Sequence, residues 1–377
     1  MKLKYCKNCL TTNLRPNAKF YNGVCIACSY DQNKSSFYNS ENFLLLKDSI
    51  NKTKKLLNRK NFQYDCIVGV SGGKDSTRQA LWVKEKLKMN PLLVCCAYPP
   101  EQMHVKGAEN IDNLIKKGFD IEILTPAPKS SKSLTRFSFF NFGNVSKATE
   151  LALFSTVPRI AIEKNIPFIF WGENPALQVG DSKTAGVNPI DGNNLRKLNT
   201  LIDGGIDWMI NILDKNKINH YKYPTTLDFN KKKINIYYLG PAWDDWSMHN
   251  NALFACLNGL SLNPESHLET GDITNSSMLD EEYTNINMML KYYKFGFGRA
   301  TDYVNELIRN NLLSRDQAIE LVNKYDGICG DGIINRFCNY IEISEDMFWK
   351  NIHKWTNKSI FSLDGKRPKP KFKVGQL

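Results

Sequence analysis

The 377-residue sequence contains no apolar run of membrane-spanning length, and its start, MKLKYCKNCL, lacks the apolar stretch of a secretion signal. Those absences argue against a membrane protein and lead us to expect a chain of the reducing cytoplasm. There its ten cysteines serve metals, chemistry or packing more readily than disulfides. There is no internal repeat and no low-complexity segment. The five histidines are scattered, with no metal-ligand spacing among them. Because 42% of the residues are apolar and 11% aromatic, the composition is that of a globular chain, and global disorder is excluded. The length allows one large domain or two to three smaller ones.

Acidic residues are scarce at the two ends. Residues 1–60 hold twelve Lys/Arg against three Asp/Glu, and the tail KRPKPKFK (366–373) adds five basic residues and no acidic one. The rest of the chain carries 33 basic and 35 acidic residues, a net of −2 within a formal total of +12. The body is therefore no basic cradle for nucleic acid, and the basic ends read as solvated, lysine-rich surface or as anion-binding segments.

Cys6-Lys7-Asn8-Cys9 and Cys25-Ile26-Ala27-Cys28 form two CxxC pairs fifteen residues apart. Two such turns complete a tetrahedral Zn²⁺ site, and four sulfur ligands leave no open position, so the metal would be structural. Cys95 and Cys96 read as core, while Cys329 and Cys338 flank a glycine-rich turn without an evident partner.

After a helical segment at 40–61, capped at Ser40, strands alternate with helices. CIVGV (66–70), PLLVCCAY (91–98), DIEILTP (120–126) and IPFIFWGEN (166–174) read as strands, and INIYYLG as another. Segments 77–89, 108–118 and 148–165 read as helices, the last distorted at Pro158. NKKKIN (230–235) reads as a short basic loop, and helical patterns such as SRDQAIELVNKY (314–325) dominate from about 275. This alternation predicts an α/β fold, a doubly wound parallel sheet whose ligands sit at the carboxyl ends of its strands. The expected organisation is a zinc-ribbon-like module (1–38), a linker helix (39–61), a nucleotide domain (62–265) and a mainly helical C-terminal region (266–377).

A glycine-rich turn follows the first of these strands: Ser71-Gly72-Gly73-Lys74-Asp75-Ser76. The ATPase phosphate loop G-x-x-x-x-G-K-[ST] does not fit, because Val68 stands where its first glycine belongs and Asp75 follows Lys74. The Rossmann pattern fails as well. Gly72 and Gly73 nevertheless let backbone N–H groups approach phosphate oxygens, and the helix behind them offers its positive end. Ser71 and Ser76 can donate hydroxyls, Lys74 neutralises charge, and Asp75 suits a Mg²⁺ ion on a leaving pyrophosphate.

SGGKDS after a buried strand resembles the pyrophosphate (PP) loop of the ATP pyrophosphatases, which include GMP and asparagine synthetases and tRNA-modifying enzymes. The paired CxxC module, FWGENP (170–175), LGPAWDDW (239–246) and KFGFGRATD (294–302) together resemble, in the same order, the N-acetyl sugar amidotransferases that make acetamidino sugars for bacterial surface polysaccharides and flagellin. LGPAWDDW departs from the GYY or GYF expected before the Trp-Asp pair.

The resemblance implies cleavage of ATP to AMP and pyrophosphate, Mg²⁺ and Zn²⁺ as metals, an N-acetylated sugar as substrate, and ammonia from a separate glutaminase subunit. The chain has Lys2 rather than a cysteine nucleophile and no Gly-x-Cys-x-Gly elbow with a downstream His-x-Glu, so it is not expected to hydrolyse glutamine itself. No nucleic-acid or membrane partner is expected. The competing reading is a tRNA-modifying enzyme, a thiolase or lysidine synthetase, built on the same loop.

Lys74, Asp75, Glu173 and Asn174 are the expected catalytic residues, with Ser71 to Ser76 and Gly172 around the nucleotide. Asp181 and Ser182 are weaker candidates. Trp243 and Asp244 are expected on the sugar ring and its hydroxyls. Arg299 is expected to grip an anionic group of the sugar bidentately, and Asp302 beside it is expected among the substrate-binding residues.

Overall fold

A computed structural model describes residues 3–35, 38–57, 63–173, 186–198, 201 and 205–376. The chain enters through a hairpin of β1 (Phe20–Tyr21) and β2 (Val24–Cys25), joined by Asn22 and Gly23. Both turn residues have positive φ, 50° and 82°, as the tightest hairpin turn demands. The turn delivers Cys25 back beside Cys6 and Cys9. Helix α1 (Ile26–Gln32) carries Cys28, and α2 (Tyr38–Leu57) follows, packing Leu46 and Ile50 against the sheet rather than merely linking.

That sheet has five parallel strands: β3 (Cys66–Val70), β4 (Pro91–Cys96), β5 (Ile121–Leu124), β6 (Phe168–Trp171) and β7 (Asn235–Tyr238), in the order β5-β4-β3-β6-β7. The fold is α/β, as the alternating pattern predicts. Both sheet faces are covered, so the strands are apolar throughout. Val68, Val70, Phe168 and Phe170 face one layer, and Ile67, Ile169 and Trp171 face the other. Helix α3 (Lys74–Glu85) follows β3, α4 (Val105–Lys116) follows β4, and α5 (Pro128–Phe142) and α6 (Lys147–Lys164) intervene before β6. Strand order reverses between β3 and β6. That is the crevice where open α/β sheets bind ligands, and the glycine turn sits at its mouth.

Segment 230–235, expected as a basic loop, is divided between the end of α7 (Thr226–Lys232), a short turn and the first residue of β7. A capping box starts this helix: Thr225 and Asp228 bond each other's backbone N–H groups. Beyond α8 (Met248–Leu257) come α9 (Thr284–Phe295), α10 (Arg299–Arg309), α11 (Arg315–Tyr325), α12 (Asp331–Tyr340) and α13 (Glu345–Trp355), and a terminal hairpin of β8 (Phe361–Ser362) and β9 (Lys369–Pro370). These helices enclose a core into which Leu3, Tyr5 and Leu10 insert. The first residues thus share a core with the C-terminal helices, while the four cysteines and Ala27 form a small cluster of their own. No helix among the described residues is long and apolar enough to cross a membrane.

Candidate active site and metal centre

Gly72 adopts φ +83°, and a Cβ there would lie 2.5 Å from the carbonyl oxygen of Gly107. Glycine is required on both counts, and the turn lies directly on the start of α4. Helix α3 begins at Lys74, three residues earlier than the pattern suggests, because Gly73 is its N-cap. No side chain caps this end. Its first N–H groups therefore point from the central strand into the crevice, where an anion would satisfy them. Ser76 Oγ donates to the carbonyl of Gly73 at 3.1 Å.

The Lys74 ammonium, 6% exposed, lies 2.9 Å from Asp75 Oδ2 and 5.7 Å from the centre of the Tyr303 ring. Burial opposes its charge, but Asp75 and Tyr303 outweigh burial and hold it above the ordinary lysine range. The other carboxylate oxygen of Asp75 accepts a hydrogen bond from Asn251 Nδ2 at 2.7 Å. Asn251 Oδ1 in turn accepts from Arg78 at 2.8 Å, and Arg78 pairs with Asp245 and stacks 4.8 Å over the Trp243 ring. Asp75 thus stands between a fixed cation and a fully buried amide.

Across the crevice, Gln79 accepts the N–H of Gly172 at 2.9 Å, and Trp246 Nε1 donates to the Gly172 carbonyl at 2.7 Å. These bonds fix the turn that presents Glu173. Glu173 Oε2 is buried without a partner, and burial, reinforced by the charge of Asp75, pushes its pKa up to about 7. Asp75, Glu173, Ser71, Gly73 and Ser76 line a cavity of about 160 Å³. A second cavity, of about 540 Å³ and mainly apolar, meets it at Ser71 and Cys96 and is walled by Ala97, Tyr98, Ile111 and Asp280. Carboxylate oxygens, one of them orphaned, are the hard donors that Mg²⁺ prefers, so the residues present fit that ion.

Helix α10 brings the C-terminal region to this site. Tyr303 lies by Lys74, and Glu306 interacts with the charges of Asp75 and Lys74. Glu306 Oε1 accepts the N–H of Met248 at the start of α8, Oε2 is buried and unpartnered, and burial pushes the carboxyl up to about 7. Asp280 hydrogen-bonds Ser71, yet its burial dominates and raises its pKa.

Among the expected sugar ligands, Trp243 is 1% exposed, an internal wall under Arg78 and Trp82 rather than an open platform. Asp244 lies with it on a separate groove that shares no residue with the two crevice cavities. Asp302 does not face the crevice. It pairs with Arg15 at 2.7 Å and with Lys291 at 2.5 Å, which hold its carboxyl well below the usual range despite burial. Its role is to tie the N-terminal module to α10. Arg299, the first residue of α10, has a buried Nε without a partner and feels the charge of Asp280. Asn174, Asp181 and Ser182 lie outside the described residues. Gln79, Asn251, Asp280 and Glu306 belong to no motif, and Trp246 closes LGPAWDDW without a role that the sequence assigns to it.

The four N-terminal cysteines converge, with their sulfurs all within 4.8 Å of one another. Cys9 and Cys25 Sγ are 3.7 Å apart, against about 3.8 Å for thiolates on a tetrahedral Zn²⁺ with ~2.3 Å bonds. Backbone N–H groups of Asn8 and Cys25 point at Cys6 Sγ, and that of Thr11 at Cys9 Sγ, the outer contacts that orient metal-bound thiolates. Cys25, Cys28 and Cys9 hold the Cys6 thiol well below its ordinary range. Zinc fits these residues. Asn305 of α10, 3% exposed, accepts the Leu10 N–H at 2.7 Å and donates to Thr11 Oγ1 at 3.1 Å. One face of α10 therefore grips the cysteine module while Tyr303 and Glu306 on another approach the phosphate loop.

The described residues define an α/β protein with a glycine turn at the reversal of strand order; the comparisons with known proteins bear on one segment of it. Residues 275–373 match the family described as LPS biosynthesis protein WbpG-like, C-terminal domain. An uncharacterized protein of Methanocaldococcus jannaschii is 29% identical over 113 residues, and the match covers 29% of this chain and 38% of that protein. A solved U34-tRNA thiolase NcsA from Methanococcus maripaludis, with its 4Fe-4S cluster, is similar at 15% identity. That likeness covers 79% of this chain and 87% of the thiolase with a TM-score of 0.27, too low to bear on the chemistry.

Proposed function

We propose that the protein is the ATP-dependent synthetase of an N-acetyl sugar amidotransferase: it converts an acetamido group of a bacterial surface sugar to an acetamidino group, releasing AMP and pyrophosphate. The observation that carries this reading is SGGKDS at the mouth of the strand-order reversal, on a chain whose C-terminal segment matches lipopolysaccharide-biosynthesis proteins.

An amide is a poor electrophile, because its nitrogen lone pair is delocalised and its oxygen leaves badly. Attack of that oxygen on the α-phosphorus expels pyrophosphate and leaves an O-adenylated imidate. Ammonia, delivered by a partner glutaminase, then adds to the carbon, loses a proton, and AMP departs with the former amide oxygen. The chain must hold the amide in line, offset the pyrophosphate charge and exclude water. Lys74 and the uncapped end of α3 offset that charge, and Asp75 with Glu173 would hold Mg²⁺, which supplies further charge neutralisation. The apolar cavity beside Ser71 suits an adenine, and Arg299 an anionic group of the sugar.

A tRNA-thiolase reading needs a reactive thiolate by the nucleotide. Cys95 and Cys96 line the apolar cavity, but burial pushes their thiols up to about 12 and about 11, so both stay protonated at neutral pH. The test is incubation of the protein with ATP, Mg²⁺, ammonium and candidate diacetamido sugars. AMP with a sugar product in which NH replaces O supports the proposal, whereas ADP as the main nucleotide overturns it.

A further inference from the structure

The two basic ends of the chain, far apart in sequence, meet in one cleft. It has a volume of about 500 Å³ and lies between the cysteine module and the C-terminal tail, sharing no residue with the crevice cavities. Lys4 and Lys7 stand on one side, Lys371 and Lys373 on the other, and no Asp or Glu lines it. None of the four makes an ion pair among the described residues, and the lining supplies no carboxylate to any of them. Lys371 Nζ reaches only the carbonyl of Lys358, at 3.2 Å.

The cleft is built rather than incidental. Lys7 lays its stem over Gly23, where a Cβ would come within 2.8 Å of Lys7 Cε, and its backbone N–H bonds the Gly23 carbonyl at 2.9 Å. Opposite, the Lys371 N–H bonds the Ile360 carbonyl at 2.8 Å. Arg315 spans the two walls by donating to the carbonyls of Gly375 at 2.8 Å and Cys6 at 3.5 Å. The floor is apolar, formed by Leu3, Tyr5, Ile360 and Phe372. Four like charges gathered around a concave, low-dielectric floor repel one another and raise the local potential, and an anion relieves both effects. A long polymer needs an extended track. This pocket instead has the volume of a site for one small molecule, with a floor for a flat apolar body and a rim for its phosphates.

We propose that this cleft is a second ligand site, which binds a nucleoside diphosphate moiety, either free or within a nucleotide-linked sugar. The base lies on the Leu3–Phe372 floor and the diphosphate meets the lysine rim. The site does not depend on the amidotransferase reading, since none of its residues belongs to the phosphate loop.

The test is lysine footprinting on the full, metal-loaded chain. The protein is acylated briefly with and without UDP, UDP-N-acetylglucosamine or a short RNA, and each lysine is read by mass spectrometry. At a ligand concentration ten times Kd, acylation of Lys7, Lys371 and Lys373 should fall about tenfold, while the exposed Lys129 and Lys222 stay unchanged. Protection by both nucleotides assigns the site to the shared diphosphate; protection by the sugar nucleotide alone assigns it to the linked form. The double substitution Lys7→Gln/Lys371→Gln should abolish protection of Lys373, and raising the salt should weaken it in the wild type. Absence of nucleotide protection, protection by RNA alone, or protection that survives the double substitution would overturn the proposal.

Discussion

Replacing Glu306 by glutamine should stabilise the ligand-free protein at alkaline pH and leave it unchanged at acid pH. Glu306 is 5% exposed, and burial raises its carboxyl from the ordinary 4.5 to about 7. Because the folded pKa lies above the unfolded one, the carboxyl's contribution to stability is complete below 4.5 and is lost as the pH rises through about 7. The rise from 4.5 to about 7 corresponds to roughly 3 kcal/mol as an upper figure. Glutamine keeps an oxygen to accept the Met248 N–H and cannot ionise. Its amide N–H lacks an acceptor, but so does the hydroxyl of the protonated acid at the orphaned Oε2, so the two proteins should match in acid. Urea unfolding at about pH 4.5 and about pH 8 should therefore show a gap that opens with pH toward ~3 kcal/mol. Glu306→Ala, which also strips Met248 of its acceptor, should cost about 1–3 kcal/mol even in acid. A glutamine-minus-wild-type difference that stays flat across this range would refute the assignment of Glu306 as a buried carboxyl.

Metal analysis should find one zinc per chain, and Cys9→Ser should unfold the N-terminal module, because the binding energy of a structural zinc is folding energy. Since Leu10 and Thr11 bond Asn305 of α10, loss of zinc should also expose the C-terminal core to limited proteolysis. Asp75→Asn should abolish AMP formation while leaving the thermal midpoint within a few degrees of wild type, since its side chain is 39% exposed and faces the cavity; a large fall in midpoint with retained turnover would contradict the role given to Asp75.

The parts of the molecule legible in the sequence are those encoded locally. Strand β3 spans the segment read as CIVGV, and the paired CxxC turns close into one sulfur cluster because each pair shares a turn. The sequence pattern starts helix α3 at 77, since a Gly-Gly-Lys-Asp-Ser run looks like loop; Gly73 serves as its cap, so Lys74 and Asp75 occupy the first turn. The partners of Asp75 were not legible. Asn251 and Glu306 are 176 and 231 positions away from it, on helices whose polar residues resemble any solvated face until the fold buries them. The sequence suggests Trp243 as a sugar platform because a tryptophan face with a carboxylate beside it suits a sugar ring and its hydroxyls. Here Trp82 and Arg78 cover it, an outcome set by the packing of α3 against the loop that follows β7.

The central claim is that the amide oxygen itself accepts AMP. Its most direct test is to supply the acetamido sugar with ¹⁸O in the carbonyl, together with ATP, Mg²⁺ and ammonium, and to follow the label by mass spectrometry. The adenylated imidate requires ¹⁸O to leave in AMP; label retained in the sugar product or released to water would contradict it.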